Sequence, residues 1–417
     1  MSDRRTDRDV DVVLADWMDQ VAPTRAPTRL LEGTFSRTMG SRQVRSLRWI
    51  GGAHIETPGR LATVSDAWKL LVLIGVLLAA ALVGLVGGQG LAPGPIPSAP
   101  ATNEPSPTGT SAASRPAAIL VSPEATIPLL SPISMAVSGQ AIWVLAPGRV
   151  DQIDPLTNTV VGSVAIGETT DAYNGLAAGS AGLWATDSTA GLVDRVDPAT
   201  LKLVVKIPAG STPKGVVAPP GEVWVADEHG GSVLRVDPAI NSAGTPITLG
   251  PTGSSGPQWL GYGLGSLWVG IPNNGTVARM DVASNVVTGI TAPAAATPCG
   301  GVAVGTGAVW ITSCSNATLV TRYDPATNAA VTSVELGGNG YKPTLIGDAP
   351  WISVDPGSAG AGFLARVSPE TNTIDRVLIP GSTFGGGGDI VVAAGSVWVA
   401  DGYDNVVLRL PLAQFER

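Results

Sequence analysis

The sequence predicts an all-β fold, a seven-bladed β-propeller, preceded by a single transmembrane helix and a short helical cytoplasmic arm. Three observations predict the propeller. Trp143, Trp184, Trp224, Trp268, Trp310, Trp351 and Trp398 recur every 40 to 47 residues, the spacing of four-stranded blades. A fixed order of short strand patterns repeats around each tryptophan. The last unit lacks its fourth strand, and an apolar stretch ahead of the first unit is placed to supply it.

Composition agrees. Hydrophobic residues make up 44% of the chain, charged ones 14%, and there are 53 glycines, which suits short strands and tight turns. Long helical bundles need more Leu, Glu and Lys. The net charge of -8 argues against a nucleic-acid partner, because phosphate binding needs a basic face. Charge is uneven along the chain: residues 1–66 carry ten Arg/Lys against nine Asp/Glu, and residues 118–417 carry thirteen against twenty-three.

Each unit opens with a small-residue strand that ends at a glycine turn, as in GLAAGSAG, GVAVGTG and IVVAAGS. An alternating strand around the tryptophan follows, such as GLWATD, EVWVAD or SVWVAD, and alternation buries one strand face. The third strand reads GLVDRVDP, SVLRVDP or VVLRLP. A turn of the type DPATN or DPLTN leads to the fourth strand. Pro fixes φ there, Asp bonds the backbone beyond it, and Asn tolerates positive φ. Because the chain runs only to Arg417 after VVLRLPLAQFER, AAILVSPEATIPLL is expected to complete the last blade and close the ring. Pro123 and Pro128 are tolerable on such an edge strand.

These units resemble those of the YVTN/streptogramin-lyase-like propeller superfamily, whose repeats read like GSVWVAD-x-x-x-N-x-V-x-R-x-DPATNTVV. Asp227–Asp237 and Asp401–Leu410 carry the likeness best, and it covers residues 118–417. The resemblance implies the fold and is nearly silent on function, since propellers host both binders and enzymes. Streptogramin lyases eliminate across an ester linkage with histidine and magnesium-bound glutamates. Asp227-Glu228-His229 stands where such lyases carry acidic and histidine residues, and His229 is the one histidine of the propeller.

Ahead of the repeats, Leu70–Leu91 is uncharged, and about 20 apolar residues cross a bilayer as a helix. Arg42, Arg45, Arg48, Arg60 and Lys69 precede it, and no Lys or Arg follows until Arg115. The positive-inside rule then places the N-terminus in the cytoplasm and the repeats outside a cell membrane. Residues 1–66 form the arm, with two short amphipathic patterns: Val10, Val13, Leu14, Trp17, Met18 and Val21, then Leu30, Leu31, Phe35, Met39, Val44 and Leu47. They suit either a cytoplasmic protein partner on residues 1–50 or the inner membrane surface. The arm loosely resembles the cytoplasmic stretch of membrane-anchored anti-sigma-like sensor proteins. Residues 67–91 are the span, residues 92–116 a Pro/Ser/Thr-rich spacer, and residues 117–417 the propeller.

Loops from second to third strands and loops between blades open on one face, the usual ligand mouth of a propeller. The first set is expected to place Asp187, Asp227, His229, Asp355 and Asp401 there. The second set contributes Asn174, Lys214, Tyr262, Tyr341, Lys342 and Asp389. This mixture suits an unknown polar ligand or a protein. No catalytic set, metal-ligand spacing or cofactor motif stands out. The glycine run 385–388 precedes a strand, not the helix start that a phosphate cradle needs. Cys299 opens the first strand of its unit and Cys314 ends the second, so an antiparallel hairpin brings them within reach of a disulfide. The function read from the sequence is a membrane-tethered extracytoplasmic propeller for ligand binding, sensing or protein interaction. The alternatives are a metal-dependent lyase and an anti-sigma-like transmembrane regulator.

Overall fold

In the computed structural model, residues 116–416 are described apart from 168–170, 172, 254–255, 295, 314–317 and 385–387. The arm, the apolar segment and the spacer up to Arg115 lie outside the described residues. Among the described residues, no helix is long and apolar enough to cross a membrane.

Seven sheets follow in chain order, antiparallel apart from one added strand on blade six. Blade one consists of Ser134–Ser138, Ala141–Ala146, Arg149–Asp154 and Thr159–Ala165. Blades two to six repeat that order, beginning at Leu176, Pro213, Leu260, Val302 and Asn339. Blade seven has Ile390–Ala393, Ser396–Asp401 and Val406–Pro411. The first strand of each blade packs on the first strand of the next, and that of blade seven packs on blade one. The first strands therefore line the axis.

Each tryptophan sits mid-strand and at most 1% exposed. Each fills the seam to the next blade. Trp143 packs on Leu183 and Ala185 of blade two, Trp268 on Val309 and Ile311 of blade five, and Trp398 on Ile142 and Val144 of blade one. An arginine on the third strand lies opposite six of the seven indoles; blade one has Gln152 instead. Four of these arginines reach into the proline turn of the next blade, which is Ser-Pro in blade six and Asp-Pro in the other three. Arg195 Nη1 donates to Pro238 O at 2.8 Å and Asn241 Oδ1 at 2.6 Å. Arg279, Arg322 and Arg409 make the same pair of bonds to Pro325 and Asn328, Pro369 and Asn372, and Pro155 and Asn158. Arg409 thereby joins the last blade to the first. Arg235 turns back to Glu222 at 2.7 Å, and the turn it faces carries Val282 in place of proline. Arg366 pairs with Asp375 on its own blade, because blade seven has no such turn.

The turns behave as their residues require. Asp197 accepts from the Thr200 hydroxyl and the Ala199 amide, and these bonds hold its carboxyl below the usual range. Asn158, Asn241, Asn285, Asn328 and Asn372 take φ between 53° and 60°, the left-handed region that asparagine tolerates.

The ring closes as the sequence predicts, with one addition. Ala125–Pro128 pairs antiparallel with Val406–Pro411 as the outer strand of blade seven. Ala118–Leu120 instead pairs parallel with Ile374–Ile379 of blade six. One apolar stretch thus serves two blades. Pro123 lies between the pieces, where a missing N–H favours an interruption. Proline also lies in the gaps that split two other strands: Pro246 in blade three and Pro343 in blade six.

Candidate functional site

The mouth-face residues fall into three groups, and only two of them converge. Asp187, Asp227 and Asp401 are at most 4% exposed and hold loops in place. Asp187 accepts from Ala190 N at 3.0 Å. Asp227 Oδ1 accepts from Ser211 N and Thr212 N at 3.1 and 2.9 Å. A side chain at Gly210, which has φ 111°, would strike the Asp227 carboxylate. Asp355 accepts from Gly357 N at 2.7 Å. Tyr262 belongs elsewhere: it lies next to last on its inner strand, near the turn at Leu264–Gly265 on the opposite face. Inner strands start at the mouth, and Tyr262 stands near the far end of its strand, which removes it from the expected mouth set.

Asp401 accepts from Phe384 N at 3.0 Å and Asp404 N at 3.1 Å. Asp404 in turn accepts from the Thr383 amide at 2.8 Å. Burial pushes the Asp401 carboxyl up to about 6; its backbone hydrogen bonds oppose the rise, and Asp404 adds to it. A carboxyl raised above its unfolded value, ~3.9, contributes stability that is complete below that value and is lost as pH climbs through about 6. Asp404→Asn keeps an acceptor for Thr383 and removes the neighbouring charge. It should flatten the fall in melting temperature between pH ~4 and ~6; superimposable pH profiles for variant and parent would refute this coupling.

The second group joins blades six, seven and one. Asp389, 4% exposed, accepts from Ser134 Oγ and Met135 N, both at 2.9 Å, and pairs with Lys342 at 3.2 Å. Tyr341 lies beside Gly388.

The third group is built by blades two, three and four. Lys214 is second on the inner strand of blade three and is 5% exposed. Its ammonium pairs with Asp171 and, at 3.5 Å, with Glu228. It lies 5.5 Å from the centre of the Tyr173 ring. Gln258 Nε2 donates to Glu228 at 2.8 Å. Tyr173 and Trp259 stand with ring centres 6.3 Å apart, tilted by 54°. Burial, with Asp171 adding and Lys214 opposing, raises the Tyr173 pKa, so its hydroxyl keeps its proton. Asn174 Nδ2 and Gln258 Oε1 are buried without a hydrogen-bond partner. The blades interlock beneath this group, Gly175 N donating to Lys214 O and Gly215 N to Gln258 O. A Cβ at Gly215 would come within 2.7 Å of Gln258 O, so the close approach requires glycine.

His229 is exposed, and its Nδ1 lies 2.7 Å from Thr212 Oγ1. The donor set does not fit the magnesium site that the lyase resemblance implies. The lysine ammonium already sits between Asp171 and Glu228. Among the described residues, no three His, Cys, Asp or Glu side chains gather as a metal site. A separate open groove of about 600 Å³, flanked by Leu129, Leu130, Arg149 and Val160, shares no residue with these groups.

Solved structures place this architecture. Virginiamycin B lyase from Staphylococcus aureus superposes with a TM-score of 0.58 at 19% identity, over 69% of this chain and 98% of that one. The chain is a seven-bladed β-propeller similar in fold to that lyase. A catalytically inactive histidine-to-alanine form of the same lyase with quinupristin gives 0.55 at 17% identity, over 68% and 95%. Kuenenia stuttgartiensis hydrazine synthase gives 0.54 at 15%, over 68% and 96%. No protein-family model matches the sequence, and no curated protein does either. These likenesses establish the fold.

Asp171, Tyr173, Gln258, Trp259 and Ser134 were not singled out from sequence. Their signal is positional: Asn174, Lys214 and Gln258 each stand at or just before the start of an inner strand, one from each of three consecutive blades.

Proposed function

We propose that this chain is a membrane-tethered extracytoplasmic binding module that takes a polar ligand at the mouth of blades two to four. One observation carries the reading: charged, amide and aromatic groups from three consecutive blades converge there, with two buried amide atoms left unbonded. Buried polar atoms are normally satisfied, and an orphaned pair beside exposed aromatic surface marks a place for ligand atoms or bound water. In a thermal-shift screen of the purified full-length chain against polar small molecules, hits should lose their stabilising effect in Lys214→Met. Hits that persist unchanged in that variant would place the site elsewhere.

The tether follows from the uncharged run at 70–91 and the arginines before it. An oxidising exterior also suits a disulfide. Cys299 is buried and disulfide-bonded, while Cys314, the other cysteine of the chain, lies outside the described residues. Thiol labelling of the denatured, unreduced protein should find no reactive cysteine. Two labelled thiols per chain would remove both the bond and this support for an outward propeller.

A further inference from the structure

We propose that the ligand of the Tyr173–Trp259 cleft is a neutral carbohydrate, an inference that rests on the mouth reading above. The charges in the cleft exclude two other classes. A cationic ligand finds its place taken, because the Lys214 ammonium lies against the Tyr173 ring between Asp171 and Glu228. An anionic ligand meets two carboxylates against one ammonium, within a propeller whose residues 118–417 carry thirteen basic and twenty-three acidic groups.

What remains is a dense mixture of donors and acceptors. The Asp171 carboxylate, 33% exposed, adds acceptor lone pairs. The Asn174 amide nitrogen offers N–H groups, the Gln258 oxygen offers an acceptor, and neither has a partner. The Tyr173 hydroxyl stays protonated. Sugar hydroxyls each donate and accept, so adjacent ones satisfy such a mixture, and bonds to ionised groups are the stronger kind.

The aromatic pair supplies the other half of the fit. Tyr173 is 37% exposed and Trp259 partly exposed. Their rings, tilted by 54° with centres 6.3 Å apart, present partly exposed apolar surface with polar tips. A pyranose has the same duality, with an apolar C–H face and a polar rim.

The test is calorimetric titration of the full-length chain in a non-glycosidic detergent. The probes are chitotriose, maltotriose, mannotriose and galactobiose, with sialyllactose and spermidine as charged comparators. At least one neutral sugar should bind. Tyr173→Ala and Trp259→Ala should each weaken it roughly tenfold, about 1.4 kcal/mol, at an unchanged melting temperature. Trp259→Phe, which keeps an aromatic face and guards against misfolding of the alanine form, should retain most of the affinity. Binding of sialyllactose or spermidine alone, abolished by Trp259→Ala, would overturn the neutral sugar and leave the mouth site standing. Sugar binding indifferent to both aromatic variants would overturn the cleft. Silence from every probe would overturn the carbohydrate, and an empty thermal-shift screen besides would overturn the mouth site too.

Discussion

Deleting residues 116–130 from the full chain should abolish or severely weaken cooperative unfolding of the propeller. Blade seven would lose its outer strand, leaving Val406–Pro411 with an unpaired edge. Val121, Ile127 and Leu129, at most 5% exposed, would leave the core. Burial of each such side chain stabilises by ~1.5–3 kcal/mol, so the three together amount to about 5–9 kcal/mol. That rivals the whole stability of an ordinary domain, about 5–15 kcal/mol. Thermal denaturation followed by circular dichroism decides it, and a melting temperature equal to that of the parent would show that the ring does not depend on this strand.

Arg409→Leu should destabilise by about 3 kcal/mol, whereas Arg235→Leu should cost less than ~1 kcal/mol. Both arginines lie against a tryptophan of their own blade, at 5.3 and 5.9 Å from the ring centre. Only Arg409 crosses a seam, donating to Pro155 O at 2.7 Å and Asn158 Oδ1 at 3.0 Å. Removing it strands two acceptors, and hydrogen bonds from charged donors contribute ~1.5–3 kcal/mol each. Arg235 has 53% of its side chain exposed and pairs with Glu222, an interaction that solvent screens. Equal losses for the two variants in urea denaturation would show that the cross-seam bonds contribute nothing.

Most of the fold was legible because its rules are local. A tryptophan every 40 to 47 residues, alternation around it and an Asp-Pro turn each act within a few residues of themselves, and repetition turned weak signals into a strong one. The arginine clamp was present in the repeat as the Arg of VDRVDP and the Asn of DPATN, yet its meaning needs two neighbouring blades. Asp187, Asp227 and Asp401 show the reverse problem. Their positions on the mouth face were readable, but whether a carboxylate faces solvent or a loop amide is decided by tertiary packing. Tyr173 and Trp259 come from blades two and four and meet only because the ring curves, and no short window of sequence holds that information.

The small parallel strand at Ala118–Leu120 changes how force travels through the molecule. Any pull arriving through the preceding chain reaches these three residues on blade six before it reaches the closing strand at Ala125–Pro128. All three are exposed, so they detach without opening the core. The seam of the ring lies behind a weak link, and a tug on the preceding chain peels that link first and leaves the ring shut.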